Sequence, residues 1–274
     1  MKKIASAAFA ATLALAAAVI PSKASASGSW HEVWSDAFNE HAPVGSFGDC
    51  NHNALTPKTA YCAKLPTALR NELWAYPYGW PDTATDRNYP EGGIYDPEHT
   101  LSIANGDLHV HMFNSKGVNH VAAVIPKAVA GQTYGRYEIR FYASTTPGYK
   151  LAWLLWPDDE KACVDCEIDF PELELDQKIS GFVHHKGDVN DAHQSGFDTG
   201  QPYGVWHTAT TEWRPGNVTF YLDGKKVGSS SNAIPDKAMT WVIQSESALN
   251  GERAASGSHA DIYIAWATAW RWQS

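Results

Sequence analysis

The chain has 274 residues, and its acidic side chains outnumber the basic ones by 30 to 21. A negative protein surface repels nucleic acid and anionic membranes, so we expect neither as a partner. The 12 tryptophans are more than a core of this size needs, which leaves ring faces available for a ligand.

Residues 1–26 have the pattern of a secretory signal peptide. Lys2 and Lys3 precede an apolar run over residues 7–20, and a small-residue cleavage site, Ala-Ser-Ala, follows at 24–26. The apolar run is too short and wrongly flanked for a membrane anchor. We therefore expect a secreted protein whose mature chain begins directly after the cleavage site.

Residues 41–100 are rich in Gly, Pro, Asn and Asp, which predicts long loops at one end of the fold or at the rim of a cleft. Within this segment, Leu69 to Trp74 is expected to form one short helix.

The four cysteines are Cys50, Cys62, Cys163 and Cys166. Export favours disulfides over free thiols. Of the three connectivities that four cysteines allow, we favour Cys50–Cys62 and Cys163–Cys166. A redox C-x-x-C motif is an alternative, but no βαβ pattern surrounds it. A zinc site is a further alternative, weakened by the wide spacing of Cys50 and Cys62.

Alternation of apolar and polar residues predicts half-buried strands through the rest of the chain. The clearest examples are Leu108–Met112, Tyr137–Tyr142, Val218–Leu222 and Ile262–Trp266. Asp223-Gly224 is a hairpin turn signal. Many closely spaced strands and few helices indicate an all-β sandwich or jelly roll, in one domain over 27–274.

Three acids, Glu167, Asp169 and Glu172, are spaced E-x-D-x-x-E among strand-forming residues. Alternate residues of a regular strand share a face, so Glu167 and Asp169 lie together while Glu172 points away. A one-residue β-bulge would return Glu172 to their face, and Pro171 suits a bulge. Acids this close raise at least one pKa, which supplies the proton donor and the carboxylate of glycoside hydrolysis. The alternative is a solvated strand face that happens to carry acids.

Several motifs resemble glycoside hydrolase family 16, and the resemblance covers nearly all of the mature chain. They are, in order, Val33–Asn39, Tyr134–Arg140, Ala152–Pro157, Glu167–Glu172, Val205–Thr208, Glu212-Trp213 and Tyr221–Gly224. The resemblance implies a concanavalin-like β-jelly roll with a substrate cleft. It also implies that Glu167 is the nucleophile, Glu172 the general acid/base, and Asp169 the assisting carboxylate.

The same resemblance implies a set of substrate-binding residues. Trp153 is spaced like a cleft tryptophan of the family, and His184 matches a position beside the site. Trp241 and Gln244 lie in a segment that resembles a late cleft strand. For any single tryptophan, packing in the core is the favoured alternative. Trp156 has the opposite strand parity to Trp153 and is expected to pack in the core. A satisfied structural histidine is the alternative for His184.

No cofactor is expected, and a structural calcium is the alternative that is not favoured. Many members of the family bind a structural calcium through an aspartate in the last strand, and Ala265 stands at that position here. His109 and His111 form an H-x-H pair, which we interpret as surface residues because no third ligand is evident.

The signal peptide and the resemblance together predict an exported, retaining endo-glycosidase that hydrolyses a β-linked polysaccharide, with β-1,3-glucan as the first choice. We expect the protein to be a monomer. Mixed-linkage glucan and galactan are the alternative substrates, and transglycosylation is an alternative reaction. A non-catalytic lectin-like module is the alternative class, because fold alone does not determine function. The intact acid cluster argues against it.

Overall fold

The computed structural model describes residues 28–52, 57–89, 92–157, 167–187 and 193–274. Strands dominate these residues, which confirms the all-β prediction. The strands are β1 Ser29–Asp36, β2 Leu73–Ala75, β3 Gly93–Tyr95, β4 Leu101–Ala104, β5 Asp107–Ser115, β6 Val118–Pro126, β7 Gly135–Ala143, β8 Tyr149–Pro157, β9 Ile168–Glu174, β10 Lys178–His184, β11 Gln194–Pro202, β12 His207–Arg214, β13 Asn217–Leu222, β14 Lys225–Ser230, β15 Met239–Ser247 and β16 His259–Gln273. The α-helices are α1 Thr67–Glu72, α2 Thr83–Asp86 and α3 Pro97–Thr100, and the 3₁₀ turns are Pro57–Thr59 and Lys127–Val129.

The strands form two layers that share β6. Sheet 1 has the order β11-β10-β9-β8-β15-β6, and sheet 2 continues as β5-β16-β7-β12-β13-β14. The first half of β6 pairs with β5, and its second half pairs with β15. Four further strands extend this order, with β1 on β16, β4 on β5, and β2 and β3 on β6. The predicted jelly-roll-like sandwich is therefore confirmed.

The core lies between the two sheets, and aromatic contacts join them. Phe170 of β9 stacks on Phe220 of β13 with ring centroids 5.0 Å apart. Trp153 of β8 meets Phe141 of β7 edge to face at 4.9 Å. Alternation explains this packing, because every second residue of a strand points to the same side. The opposite side of sheet 1 is left for the acids.

The segment 41–100 contains more regular structure than the loops predicted for it. Helix α1 begins two residues before Leu69 and ends at Glu72, while Leu73 and Trp74 belong to β2 and are buried. The helix prediction was therefore correct in place and wrong at both ends. Strand β2 pairs with β6, which holds this segment beside sheet 1.

The predicted bridge between Cys50 and Cys62 is present, with an S–S distance of 1.98 Å. Cys163 and Cys166 lie outside the described residues, as does the predicted signal peptide, so both remain predictions. Within the described ranges, no helix is long and apolar enough to span a membrane.

Candidate active site

One extra residue in β9 brings the three acids to one face of sheet 1. Asp169 pairs with Leu154 of β8, and Glu172 pairs with Ala152. An advance of three residues along β9 therefore corresponds to an advance of two residues along β8, and the pairing of β9 with β10 shows the same one-residue shift. This is the predicted bulge. Because Glu167 precedes Asp169 by two residues, it shares the same face.

The backbone of β9 is irregular around the bulge. The peptide bond between Phe170 and Pro171 is cis. Leu173, directly after Glu172, has a φ of 113°, a conformation that a non-glycine residue adopts only when its surroundings enforce it. Phe170 points into the core, so the neighbouring acids face away from it. The irregular backbone thus aims Glu172 at the open face of the sheet.

Glu167, Asp169 and His184 form a connected group. The carboxyl groups of Glu167 and Asp169 hydrogen-bond to each other. The carboxyl of Asp169 is nearly inaccessible, and its Oδ2 lies 3.0 Å from Nε2 of His184. Burial raises the pKa of Glu167 well above its ordinary value, the charge of Asp169 adds to that rise, and His184 opposes it. Two carboxyls in contact cannot easily both ionise, so we infer that the pair holds one proton.

Glu172 lies beside a buried lysine that the sequence analysis did not single out. Nζ of Lys150 lies 3.5 Å from Oε1 of Glu172, and only 5% of Lys150 is exposed. Burial raises the pKa of Glu172, while Lys150 and then His184 act to lower it, and the balance leaves the pKa raised. A carboxyl with a raised pKa beside an ionisable pair is the electrostatic pattern of an acid/base catalyst.

Lys150→Met is expected to shift the basic limb of the kcat/KM profile to higher pH by about one pH unit. Lys150 stabilises the ionised form of Glu172, so its loss raises the pKa of Glu172. If Glu172 must be protonated to act, activity then persists to higher pH. Lys150 also interacts electrostatically with Glu246, Glu174 and Asp169. The pH profile of kcat should therefore be recorded as well, because it reports the ionisation of groups in the enzyme–substrate complex.

Lys64→Met is the matched control for this test, because Lys64 is exposed and its charged neighbours are Glu98, at 2.6 Å, and Asp49, not the acids of β9. It should leave both pH limbs in place. A basic limb that stays fixed or moves to lower pH in Lys150→Met would contradict the role given to Lys150.

The structure contradicts the prediction that Trp153 and Trp241 contact a ligand. Both side chains lie in the core, 1% and 3% exposed. Trp241 contacts Trp34 and Tyr137 of sheet 2. A sugar cannot stack on a ring that is covered on both faces. The run from Leu151 to Trp156 is apolar at every position, so strand parity could not be read from it.

Trp156 packs against the core, as predicted, but it is only half-buried and lies on the opposite side of β8 from Trp153. Regular alternation along β8 puts Trp156 on the same face as Ala152 and Leu154, which pair with the acids. The side chain is half-buried, in contact with the edge of the core. The strand therefore presents Trp156, and not Trp153, on the face that carries the acids.

Gln244 lies on the same face of sheet 1 as the acids. It pairs with Ala152, the residue that also pairs with Glu172, so the three form one row across the sheet. Its Nε2 donates to Oγ1 of Thr83 at 3.4 Å. Gln244 and His184 are thus both brought to the face of the acids, on opposite sides of β9.

A second polar group on this face, centred on Glu246, was missed by the sequence analysis. Oε1 of Glu246 accepts bonds from the amide and hydroxyl of Thr83, at 3.1 and 3.0 Å, and from the hydroxyl of Tyr95. Its buried Oε2 has no hydrogen-bond partner among the described residues. The only available signal was β15 alternation, which puts Glu246 and Gln244 on one face.

Aromatic rings beside this group offer the stacking surface that Trp153 and Trp241 do not. Tyr76 lies 5.0 Å from Tyr95 and 5.4 Å from Trp80, measured between ring centroids. Tyr76 and Trp80 are both half-buried. They belong to the segment 41–100, whose irregular sequence gave no indication of which side chains would reach the sheet.

Comparison with known proteins places the chain in a family. The model of glycosyl hydrolases family 16 matches residues 107–268, and the chain therefore belongs to this family. A β-glucanase of Acetivibrio thermocellus is 34% identical over 107 residues, which cover 37% of this chain and 30% of that protein. The match thus spans less than a third of the relative's length.

Solved structures share the fold. The laminarinase of Rhodothermus marinus superposes with a TM-score of 0.64 at 16% identity, covering 90% of this chain and 99% of that one. A protein described as a pseudo β-1,3-glucanase of Mycobacterium tuberculosis also gives 0.64, at 17% identity, covering 88% and 98%. The shared fold thus includes both a laminarinase and a protein described as a pseudo-enzyme.

Proposed function

We propose that the protein is a secreted, retaining endo-hydrolase of a β-linked glucan, with β-1,3-glucan as the preferred substrate. The observation that carries the proposal is the bulge in β9, which gathers Glu167, Asp169 and Glu172 on the open face of sheet 1. A carboxyl pair that shares a proton and a separate acid with a raised pKa meet the requirements of glycoside hydrolysis.

In the proposed reaction, Glu167 attacks the anomeric carbon while Glu172 gives its proton to the leaving glycosidic oxygen. Water then enters, Glu172 removes a proton from it, and the bond between the sugar and Glu167 breaks. Glu167 must be ionised to attack, so the proton of the pair must reside on Asp169 at that moment. His184 stays in contact with Asp169 and positions it.

The choice of substrate rests on the names of relatives and on the chemistry of the face. A β-glucanase and a laminarinase are among the proteins that this chain resembles. Half-buried Tyr76 and Trp80 offer ring faces for sugars, and half-buried Gln244 offers a hydrogen-bonding amide for hydroxyls. The negative net charge disfavours a strongly anionic polymer.

A panel of purified polysaccharides tests the proposal. Laminarin, mixed-linkage glucan and agarose should be compared by reducing ends released and by loss of viscosity. We expect laminarin to be cleaved fastest, with viscosity falling early because cleavage is internal. Faster hydrolysis of mixed-linkage glucan or agarose would make that polysaccharide, rather than β-1,3-glucan, the preferred substrate. Binding to a polysaccharide without release of reducing ends would favour the lectin-like class.

Secretion and a monomeric state are part of the same proposal, and residues 1–26 carry the case for secretion. N-terminal sequencing of protein from the culture medium should give Ser27 as the first residue. Light scattering should give the mass of a single chain. Retention of the protein in the cell pellet with Met1 intact would contradict export.

Hydrolysis is expected to retain the anomeric configuration. The bulge places Glu167 and Glu172 on one face of a single strand, which favours the carboxyl separation of about 5–5.5 Å found in retaining enzymes over the 6.5–9.5 Å gap that admits a water. Two displacements restore the starting configuration. Proton NMR during the first minutes of digestion should show β reducing ends, before mutarotation. An initial α-anomer would exclude Glu167 as the nucleophile.

A further inference from the structure

Sheet 2 carries a cluster of metal-binding side chains on its outer face, away from the acids. His109 and His111 alternate along β5 with buried Leu108 and Val110, so both imidazoles point outward. The sequence offered no third ligand for them, but the structure supplies one, because Asp261 of β16 lies directly opposite His111. The two histidines lie at the surface as expected, but the expectation that no third ligand stands beside them was wrong.

Four donor groups converge at this place. Oδ1 of Asp261 lies 2.8 Å from Nε2 of His109 and 2.8 Å from Nδ1 of His111. One donor atom from each of these three residues lies within 4.8 Å of the others. His259, two residues before Asp261 on the same face, brings its Nε2 to 3.6 Å from Oδ2. A simple hydrogen bond would involve one imidazole and one carboxylate. Three imidazoles around one carboxylate instead provide the number and kind of ligands that a zinc site uses.

Neighbouring rings hold the two central imidazoles in place. His109 stacks on Tyr263 with a centroid distance of 4.4 Å and an angle of 2° between the planes. His111 stacks on Phe113 at 5.8 Å and 26°. The side chains of His109 and Asp261 are partly buried, at 27% and 25% exposure, whereas His111 at 40% and His259 at 61% are more exposed. Ligands fixed on two paired strands lose little freedom when they bind a metal, which favours binding.

We propose that His109, His111 and Asp261, with His259 at the edge, bind a divalent cation of the Zn²⁺ type. Imidazole nitrogen favours Zn²⁺, Ni²⁺ or Cu²⁺ over Ca²⁺ and Mg²⁺, which prefer oxygen ligands. Tetrahedral bonds of about 2.0–2.1 Å place neighbouring ligand atoms about 3.3 Å apart. The two contacts of 2.8 Å therefore need to open by about half an ångström to admit the ion.

The bound cation would tie β5 to β16. Each imidazole must turn a lone pair toward the ion, so its ring proton moves to the remote nitrogen, while the carboxylate binds in its ionised form. A cation that binds only the folded protein raises its stability. The aspartate of this site, Asp261, is four residues before Ala265, the position matched to the calcium ligand of the family, so the two sites differ.

Titration calorimetry with ZnCl₂ tests the proposal on protein purified without a histidine tag and dialysed against EDTA. We expect one Zn²⁺ per chain and a rise in Tm with Zn²⁺ but not with Ca²⁺ or Mg²⁺. His111→Ala should weaken binding at least about tenfold, since even the loss of an indirect partner of a metal ligand costs that much. Asp261→Asn keeps the shape of the side chain and should weaken binding in a protein that remains folded.

Two further variants separate this site from others. Glu167, Asp169 and His184 also have donor atoms within 4.8 Å of one another, so Glu167→Gln tests whether Zn²⁺ binds there. His99→Ala is the matched control, because His99 pairs with Asp96 at 2.8 Å outside the cluster. Both should bind Zn²⁺ like the wild type. No binding by the wild type, undiminished binding by Asp261→Asn and His111→Ala, or loss of binding in Glu167→Gln would overturn the proposal.

Discussion

Glu167→Gln is expected to lower turnover of the polysaccharide to less than about one hundredth of the wild-type rate. The amide has nearly the shape of the carboxylate but cannot form the covalent intermediate, because its oxygen is a poor nucleophile. The amide can still hydrogen-bond to Asp169, so the side chains of the acids on β9 should keep their arrangement. Polysaccharide binding, measured by affinity electrophoresis, should remain.

Glu138→Gln is a suitable control for this variant. Glu138 lies on sheet 2, where it accepts bonds from Arg136 and Thr210. Its substitution should leave turnover within about twofold of the wild type, because it lies outside the proposed site. Substantial turnover by Glu167→Gln, with an unchanged Tm and no wild-type contamination, would show that another group is the nucleophile.

Glu172→Gln is expected to lower kcat on the polysaccharide by about 10²–10⁴-fold, the usual contribution of a general acid/base. The loss should be much smaller for the first step on a dinitrophenyl β-oligoglucoside, whose leaving group needs no proton. The second step then becomes slow, because no base activates water. We therefore expect a burst of dinitrophenolate equal to the enzyme concentration.

Added azide should restore turnover to Glu172→Gln, since this anion attacks the glycosyl-enzyme without help from a base. The product should be the β-glycosyl azide. Glu174→Gln is the matched control, because Glu174 lies on the same face but accepts bonds from the amides of Leu249 and Asn250 at 3.2 and 2.9 Å. Azide should not accelerate that variant. Equal losses on both substrates, without rescue, would assign Glu172 a structural role.

The position of the three acids on one face could be predicted from the sequence, because their spacing and Pro171 together indicated a bulge. The tryptophans could not. An apolar strand buried on both faces has no alternation, so the side occupied by Trp153 depends on its pairing with β9 and β15, which no local pattern reveals. Resemblance to a family gave the right strand and the wrong face.

Residues whose importance depends on a distant partner were also missed. Lys150 reads as the polar start of a strand until its pairing places it beside Glu172. Asp261 is separated from His111 by most of the chain, and only the antiparallel pairing of β5 with β16 joins them. Strand alternation is a local property, whereas the order of strands in a sheet is set by the packing of the whole core.

The bulge in β9 also bears on how the length of this segment can vary during evolution. Loss of one residue between Asp169 and Glu172 would convert E-x-D-x-x-E into E-x-D-x-E, and regular alternation alone would then keep all three acids on one face. A deletion between Glu167 and Asp169 would instead turn one of them toward the core. Insertions and deletions in a central strand are normally destructive because they invert every later side chain. At this one point, a change in length and a change in backbone geometry cancel, so descendants of either length can retain the same three acids on that face.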